Sequence, residues 1–200
     1  MDPCPFRIRV FAPNDAGSCL RLFRDTVHRV NVRDYSTTQV NAWAPSDLPA
    51  ETWASRFDDR LAYVACWGGV QGECQQVLPD DLQDDVRHER MVHERMVHER
   101  IVGFTDMTRC GHLDRLFVSA DHQRQGIARQ LVRRVLQDAR ELGCANVTTE
   151  ASITAKPFFE AMGFFAIGRQ VVECRGVQMS NFKMQRTVDL DDAEGLATLV

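Results

Sequence analysis

Residues 113–144 read LDRLFVSADHQRQGIARQLVRRVLQDARELGC, and the fold is decided inside this stretch. Leu113, Leu116, Phe117 and Val118 form an apolar run of strand character, closed by the turn Ser119-Ala120-Asp121-His122. From there the apolar residues Ile127, Leu131, Val135, Ala139 and Leu142 recur at three- or four-residue spacing, one face of a helix, while Arg129, Arg133, Arg134 and Arg140 fall largely on others. Gly143 stops that helix. Between strand and helix lies Gln123-Arg124-Gln125-Gly126-Ile127-Ala128. The opening N–H groups of a helix have no intrahelical partner and sit at the positive end of its dipole. Gly126 allows close approach to that backbone, Ala128 keeps the second turn clear, and Arg124 adds a full positive charge. A strand, a tight loop and a helix N-terminus in this order make a site for a phosphate or pyrophosphate.

The bulk properties narrow the field. A chain of 200 residues suits one domain with a real core. Its formal charge of −4 argues against nucleic acid or an anionic membrane as the main partner. No apolar run approaches the roughly 20 residues needed to span a bilayer, and MDPCPFRIRVF lacks signal-peptide architecture. The seven cysteines are odd in number and include no Cys-x-x-Cys pair, and Cys66, Cys144 and Cys174 lie in apolar runs. They read as reduced, mostly buried thiols of a cytoplasmic protein.

Outward from the central stretch, period-two alternation over Phe6–Phe11 predicts a first strand. Asn14 or Asp15 caps a helix whose apolar positions are Cys19, Leu20, Phe23, Val27 and Val30. Ser36-Thr37-Thr38-Gln39 is a capping-box pattern that starts a short helix through Trp43, and a further helix runs from Ala50 to Phe57. Strands follow at 61–66, 101–107 and 112–118. After the central helix come a strand at 145–150, a helix at 154–162 with Pro157 in its first turn, and strands at 164–172 and 176–185. The acidic tail, 189–200, is expected to be disordered.

Residues 68–100 interrupt this plan with an acidic piece and the repeat HERMV-HERMV-HERIV. A five-residue step keeps neither one helix face nor one strand face, so the repeat builds no apolar stripe. Zinc sites of the His-Glu-x-x-His kind place two histidines four apart; here His88, His93 and His98 are five apart, and no metal is expected. The segment reads as a solvated or frayed insert, or as a flap that binds a partner.

Three elements occur together in order: Leu116-Phe117-Val118, then Gln123-Arg124-Gln125-Gly126-Ile127-Ala128, then Phe158-Phe159-Glu160-Ala161-Met162-Gly163-Phe164. They resemble, respectively, the fourth strand, the acyl-CoA pyrophosphate loop and the C-terminal FYExxGF element of the GNAT acetyltransferase superfamily. The resemblance runs from about Phe6 to Gln185, with 68–100 as an insertion where the family has a tight hairpin. It implies an α+β GNAT fold in one domain, 1–188. A mixed, mostly antiparallel sheet of about seven strands is flanked by about four or five helices, and strands four and five are splayed to hold acyl-CoA.

By the same resemblance, acetyl-CoA is the cosubstrate. Its pyrophosphate rests on residues 123–128, its pantetheine arm pairs with the backbone of Leu116, Phe117 and Val118, and Ser152, Lys156 and Phe159 contact it at the far end of the slot. The first helices and their connection cover the acceptor, which makes Arg33, Asp34, Tyr35 and Trp43 candidate substrate contacts; the bland alternative is a polar loop with an anchored tryptophan. An alkylamine with a pKa of about 10 needs a base near neutrality. His112, with the better intrinsic pKa, is the first candidate, Asp114 the second and Glu150 the third. Many relatives protonate the leaving thiolate with a tyrosine where this chain has Phe159, leaving Tyr35, Tyr63 or water.

The leading expectation is an N-acetyltransferase acting on a primary amine of a small molecule or peptide by direct attack, as a monomer or homodimer. The alternatives are a non-catalytic acyl-CoA-binding sensor and a partner-binding domain that uses the 68–100 insert.

Overall fold

The computed structural model describes residues 6–49, 53–68 and 100–188. The HERMV repeat, its histidines and the tail after Val188 lie outside the described residues.

Seven strands form one sheet: β1 (Phe6–Val10), β2 (Arg60–Trp67), β3 (Arg100–Thr108), β4 (His112–Val118), β5 (Asn146–Ser152), β6 (Phe165–Cys174) and β7 (Val177–Thr187). Their order is β1-β2-β3-β4-β5-β7-β6. Every neighbouring pair is antiparallel except β4 and β5, which run parallel through the crossover that carries the central helix. Among the described residues four α-helices flank the sheet: α1 (Ala16–Arg29), α2 (Thr37–Trp43), α3 (Ile127–Glu141) and α4 (Lys156–Ala161).

Alternation along β2 separates two cores. Tyr63 and Ala65 join the cluster under α3 and α4, with Leu131, Val135 and Phe159. Ala62, Val64 and Cys66 join the cluster under α1 and α2, with Phe23, Tyr35, Val40 and Trp53. The expected apolar face of α1 is the buried one: Cys19, Leu20, Phe23, Val27 and Val30 are all at most 7% exposed. Burial beside Asp15 pushes the Cys19 thiol up to about 12, which keeps it protonated and inert.

Local signals act largely as the residues suggest. Ser36 Oγ accepts the Gln39 N–H at 3.3 Å while Gln39 Oε1 accepts the Ser36 N–H at 2.9 Å, a complete capping box. Asp15 departs from expectation. Its carboxylate does not cap α1 but accepts from Arg9 and from the Ala12 N–H, at 2.7 to 2.9 Å. The 50–57 helix is seen only at its end: Trp53 and Ala54 are helical and Ser55–Phe57 is a 3-10 turn, with Ala50 to Thr52 outside the described residues.

Candidate active site

Two features of β4 create the site. The first is a bulge. Met107 pairs with Leu113 and Asp106 with Arg115, so Asp114 is the extra residue on β4. The second is that β4 and β5 stay together for only two pairs, His112 with Thr148 and Leu113 with Thr149. Beyond them the strands part, and the bulge turns both Asp114 and Arg115 toward a cavity of about 540 Å³. Phe23 of α1, Trp43 of α2, Tyr35 and Leu48 from the connection, Phe117 of β4 and Met179 of β7 give it an apolar lining. A cavity this size takes a small molecule.

The open side of β4 ends at the phosphate-type loop. The Gln123 amide donates to the Val118 carbonyl at 2.9 Å, and the Thr26 hydroxyl donates to the same oxygen at 3.2 Å. The next residue, Ser119, instead donates its N–H to Val102 of β3. Because backbone groups alternate sides along a strand, those of Leu116 and Val118 face the gap toward β5. The Val118 carbonyl is already taken, which leaves the Leu116 groups and the Val118 N–H.

Helix α3 starts at the mouth of this gap. Gly126 precedes it at φ +83°, a left-handed conformation that favours glycine, and a Cβ there would meet nothing within 4 Å. Among the described residues no side chain caps this end, and no acidic residue stands in the first turn, so its first N–H groups lack a side-chain partner. Gln123, Arg124, Gln125 and Gly126 are exposed, whereas Ile127 is buried and Ala128 partly so. Gly103 on β3 brings the helix close to the sheet: a Cβ there would lie 2.9 Å from Ile127 Cγ2 and 3.2 Å from Leu131 Cδ1. The positive helix end, the open backbone and the gap beside β4 fit an extended acyl carrier with a diphosphate.

The remaining candidates divide. Asp114 and Glu150 both line the cavity. Asp114 is paired with Arg60 at 3.0 Å and lies 4.0 Å from Arg115. The Glu150 carboxylate makes no hydrogen bond or ion pair with a described residue, although the strand register sets Lys183 across from it. His112 is not among the cavity-lining residues; its Nδ1 lies 3.0 Å from Thr148 Oγ1, and its N–H donates to Thr108 Oγ1. Tyr35 and Trp43 line the cavity, while Arg33 and Asp34 do not. Asp34 instead accepts from the Thr154 hydroxyl at 2.7 Å.

Ser152 lines the cavity, and its hydroxyl accepts the Ala155 N–H. Lys156 pairs with Glu160 and lies over the Phe182 ring. Phe159 is 2% exposed and packs between Phe158 and Phe164. The alternative acids are committed elsewhere. The Tyr35 hydroxyl donates to Ser180 O at 2.7 Å and accepts the Ile153 N–H at 3.0 Å, and burial raises its pKa. Tyr63 belongs to the opposite core, under the Arg134 guanidinium.

Sequence reading missed the charged floor. Asp106, fully buried, accepts from Arg115 Nε at 2.7 Å and Nη2 at 2.9 Å, and from Arg60 at 3.1 Å. Burial still raises the Asp106 pKa against the pull of Arg115. The signal available was an aspartate inside the apolar strand Ile101–Met107; the bulge that turns Arg115 inward has none.

Known proteins share this fold. The GNAT acetyltransferase domain family matches residues 69–186. The chain is 31% identical over 180 residues to an uncharacterized N-acetyltransferase, YafP, of Escherichia coli K12, covering 90% of this chain and 94% of that one. Among solved structures, a GCN5-related N-acetyltransferase from Rhodopseudomonas palustris superimposes with a TM-score of 0.72 at 23% identity, covering 94% of this chain and 98% of that one. The PaiA N-acetyltransferase of Thermoplasma acidophilum, solved with coenzyme A, gives a TM-score of 0.60 at 13% identity, covering 91% and 98%. The chain therefore belongs to the GNAT family and is an acetyltransferase.

Proposed function

We propose that the protein transfers an acetyl group from acetyl-CoA to a primary amine of a small molecule or peptide by direct attack. The observation that carries this reading is the juxtaposition at β4: the gap toward β5 opens at one end on the uncapped start of α3 and on its other side on the acceptor cavity. Acetyl-CoA supplies the activated acetyl group when bound. The backbone N–H groups at 126–128, with Arg124, hold its diphosphate; the Leu116 groups and the Val118 N–H hold its arm; Ser152 ends β5 and Lys156 opens α4, with Phe159 packed behind. That PaiA was solved with coenzyme A supports the assignment.

On the acceptor side, Glu150 takes the proton that the ammonium must lose, directly or through one water. Asp114 is the second choice because its carboxylate is already paired with Arg60. His112 serves β4–β5 pairing through Thr148. The amine nitrogen bonds to the acetyl carbon and gives up its second proton to water, the carbon–sulfur bond breaks, and the thiolate takes up a proton. With Tyr35 engaged at both lone pair and proton, and phenylalanine at 159, water supplies that proton to a thiol whose pKa of about 8.5 makes it a fair leaving group. Orientation in the cavity supplies most of the acceleration. The thiols present among the described residues are free, consistent with work in the cytoplasm.

Thiol release from acetyl-CoA over a panel of amines, with mass detection of the acetylated product, tests the reading. Amine-dependent release is expected. Acetyl-CoA binding with no release for any amine would leave a binding domain and refute transfer.

A further inference from the structure

We propose that the acceptor carries a carboxylate, read by a subsite around the Trp53 ring. The inference rests on the transferase reading for its choice of ligand but stands on separate groups. Four arginines line the cavity, Arg56, Arg60, Arg115 and Arg175, against two carboxylates, Asp114 and Glu150. Arg60 and Arg115 are engaged by Asp106 and Asp114. Arg56 has no carboxylate partner among the described residues.

Trp53, Arg115 and Arg56 all line the cavity, and both guanidinium groups lie against the Trp53 ring. Trp53 is 2% exposed, and its indole N–H is buried without an acceptor among the described residues. Arg115 is 8% exposed; its Nε and Nη2 are bound, while Nη1 is buried with no partner among the described residues. Its guanidinium lies 5.6 Å from the Trp53 ring centroid, and that of Arg56 lies 5.1 Å from the same ring. Two buried donors without acceptors, beside an unpaired cation, are costly unless an anion answers them. A planar carboxylate matches a guanidinium and an adjacent N–H. The aromatic lining from Phe23, Trp43 and Phe117 then covers an apolar body, and Glu150 receives the amine. Simple cationic amines such as polyamines fit this site poorly, because they bring only more positive charge.

The test titrates tryptophan fluorescence with matched pairs differing only by a carboxylate: leucine and 3-methylbutylamine, phenylalanine and phenethylamine, 4-aminobutyrate and propylamine. Wild type and Arg56→Gln are compared, each with coenzyme A present. In at least one pair the acid is expected to bind about 10-fold more tightly or better than its amine twin, and Arg56→Gln to erase most of that preference. Equal or weaker binding of the acid in every pair, or a preference untouched by Arg56→Gln, would overturn the subsite. Thiol release is measured on parallel samples with acetyl-CoA in place of coenzyme A, so binding without release would count against transfer while leaving the subsite standing.

Discussion

Asp114 and Glu150 each follow directly after Leu113 and Thr149, the last pair that joins β4 to β5, so the two carboxylates stand on opposite lips of the opening between the strands. Their surroundings separate their roles. Asp114 faces arginines, and Glu150 has no partner within contact among the described residues. The unpaired carboxylate is the one we propose as the base.

Replacing Glu150 by Gln keeps the shape and removes the proposed base. We expect kcat/KM to fall by about 10² to 10⁴-fold, with coenzyme A affinity changed less than about 2-fold. The activity that remains should rise with pH as free amine accumulates. Asp114→Asn should cost less activity and more stability, since it strips Arg60 of a partner.

Tyr35 ties the connection after α1 to both β5 and β7 through Ile153 and Ser180. Tyr35→Phe leaves the Ile153 N–H without its acceptor. A loss of about 1–3 kcal/mol is expected, or several degrees in Tm, with KM for the acceptor rising more than kcat falls. An unchanged melting temperature would show that water replaces the hydroxyl.

Much of this was legible beforehand, and the parts that were not share a cause. The Ser36–Gln39 box, the apolar faces of α1 and α3 and the loop at Gly126 follow from spacing, because each is specified by residues close in sequence. The floor of the cavity is not. A single extra residue at Asp114 reverses the inward and outward sense of β4 from Arg115 onward, and ideal alternation therefore assigned no role to Arg115. Arg56 and Trp53 reach the site from a segment whose neighbours carry no motif. Contacts between distant elements, such as Tyr35 with Ser180, leave no period to read.

Asp15 gives the acid limb of stability. It is nearly buried, which alone would raise its pKa, but the Arg9 guanidinium and the Ala12 N–H outweigh burial and hold it below its usual 3.8. A carboxylate depressed in the folded state stabilises at pH above its unfolded value, and that contribution is lost as pH falls through the folded value. The stability difference between wild type and Asp15→Asn, about 1 kcal/mol near neutrality, should shrink below pH 3.8 and vanish in stronger acid. A difference constant to pH 2 in urea titrations would contradict it.

The most direct test of the central claim is isothermal calorimetry of acetyl-CoA with wild type, Gly126→Ala and Gly126→Glu. The left-handed φ of +83° costs either side chain about 1–2 kcal/mol in the fold, so the alanine variant controls for strain. The account predicts saturable binding to wild type, retention within about 10-fold in Gly126→Ala, and loss of at least about 100-fold in Gly126→Glu, whose carboxylate occupies the helix end. No heat from wild type with acetyl-CoA or coenzyme A, or a folded Gly126→Glu that binds as tightly as wild type, would contradict it.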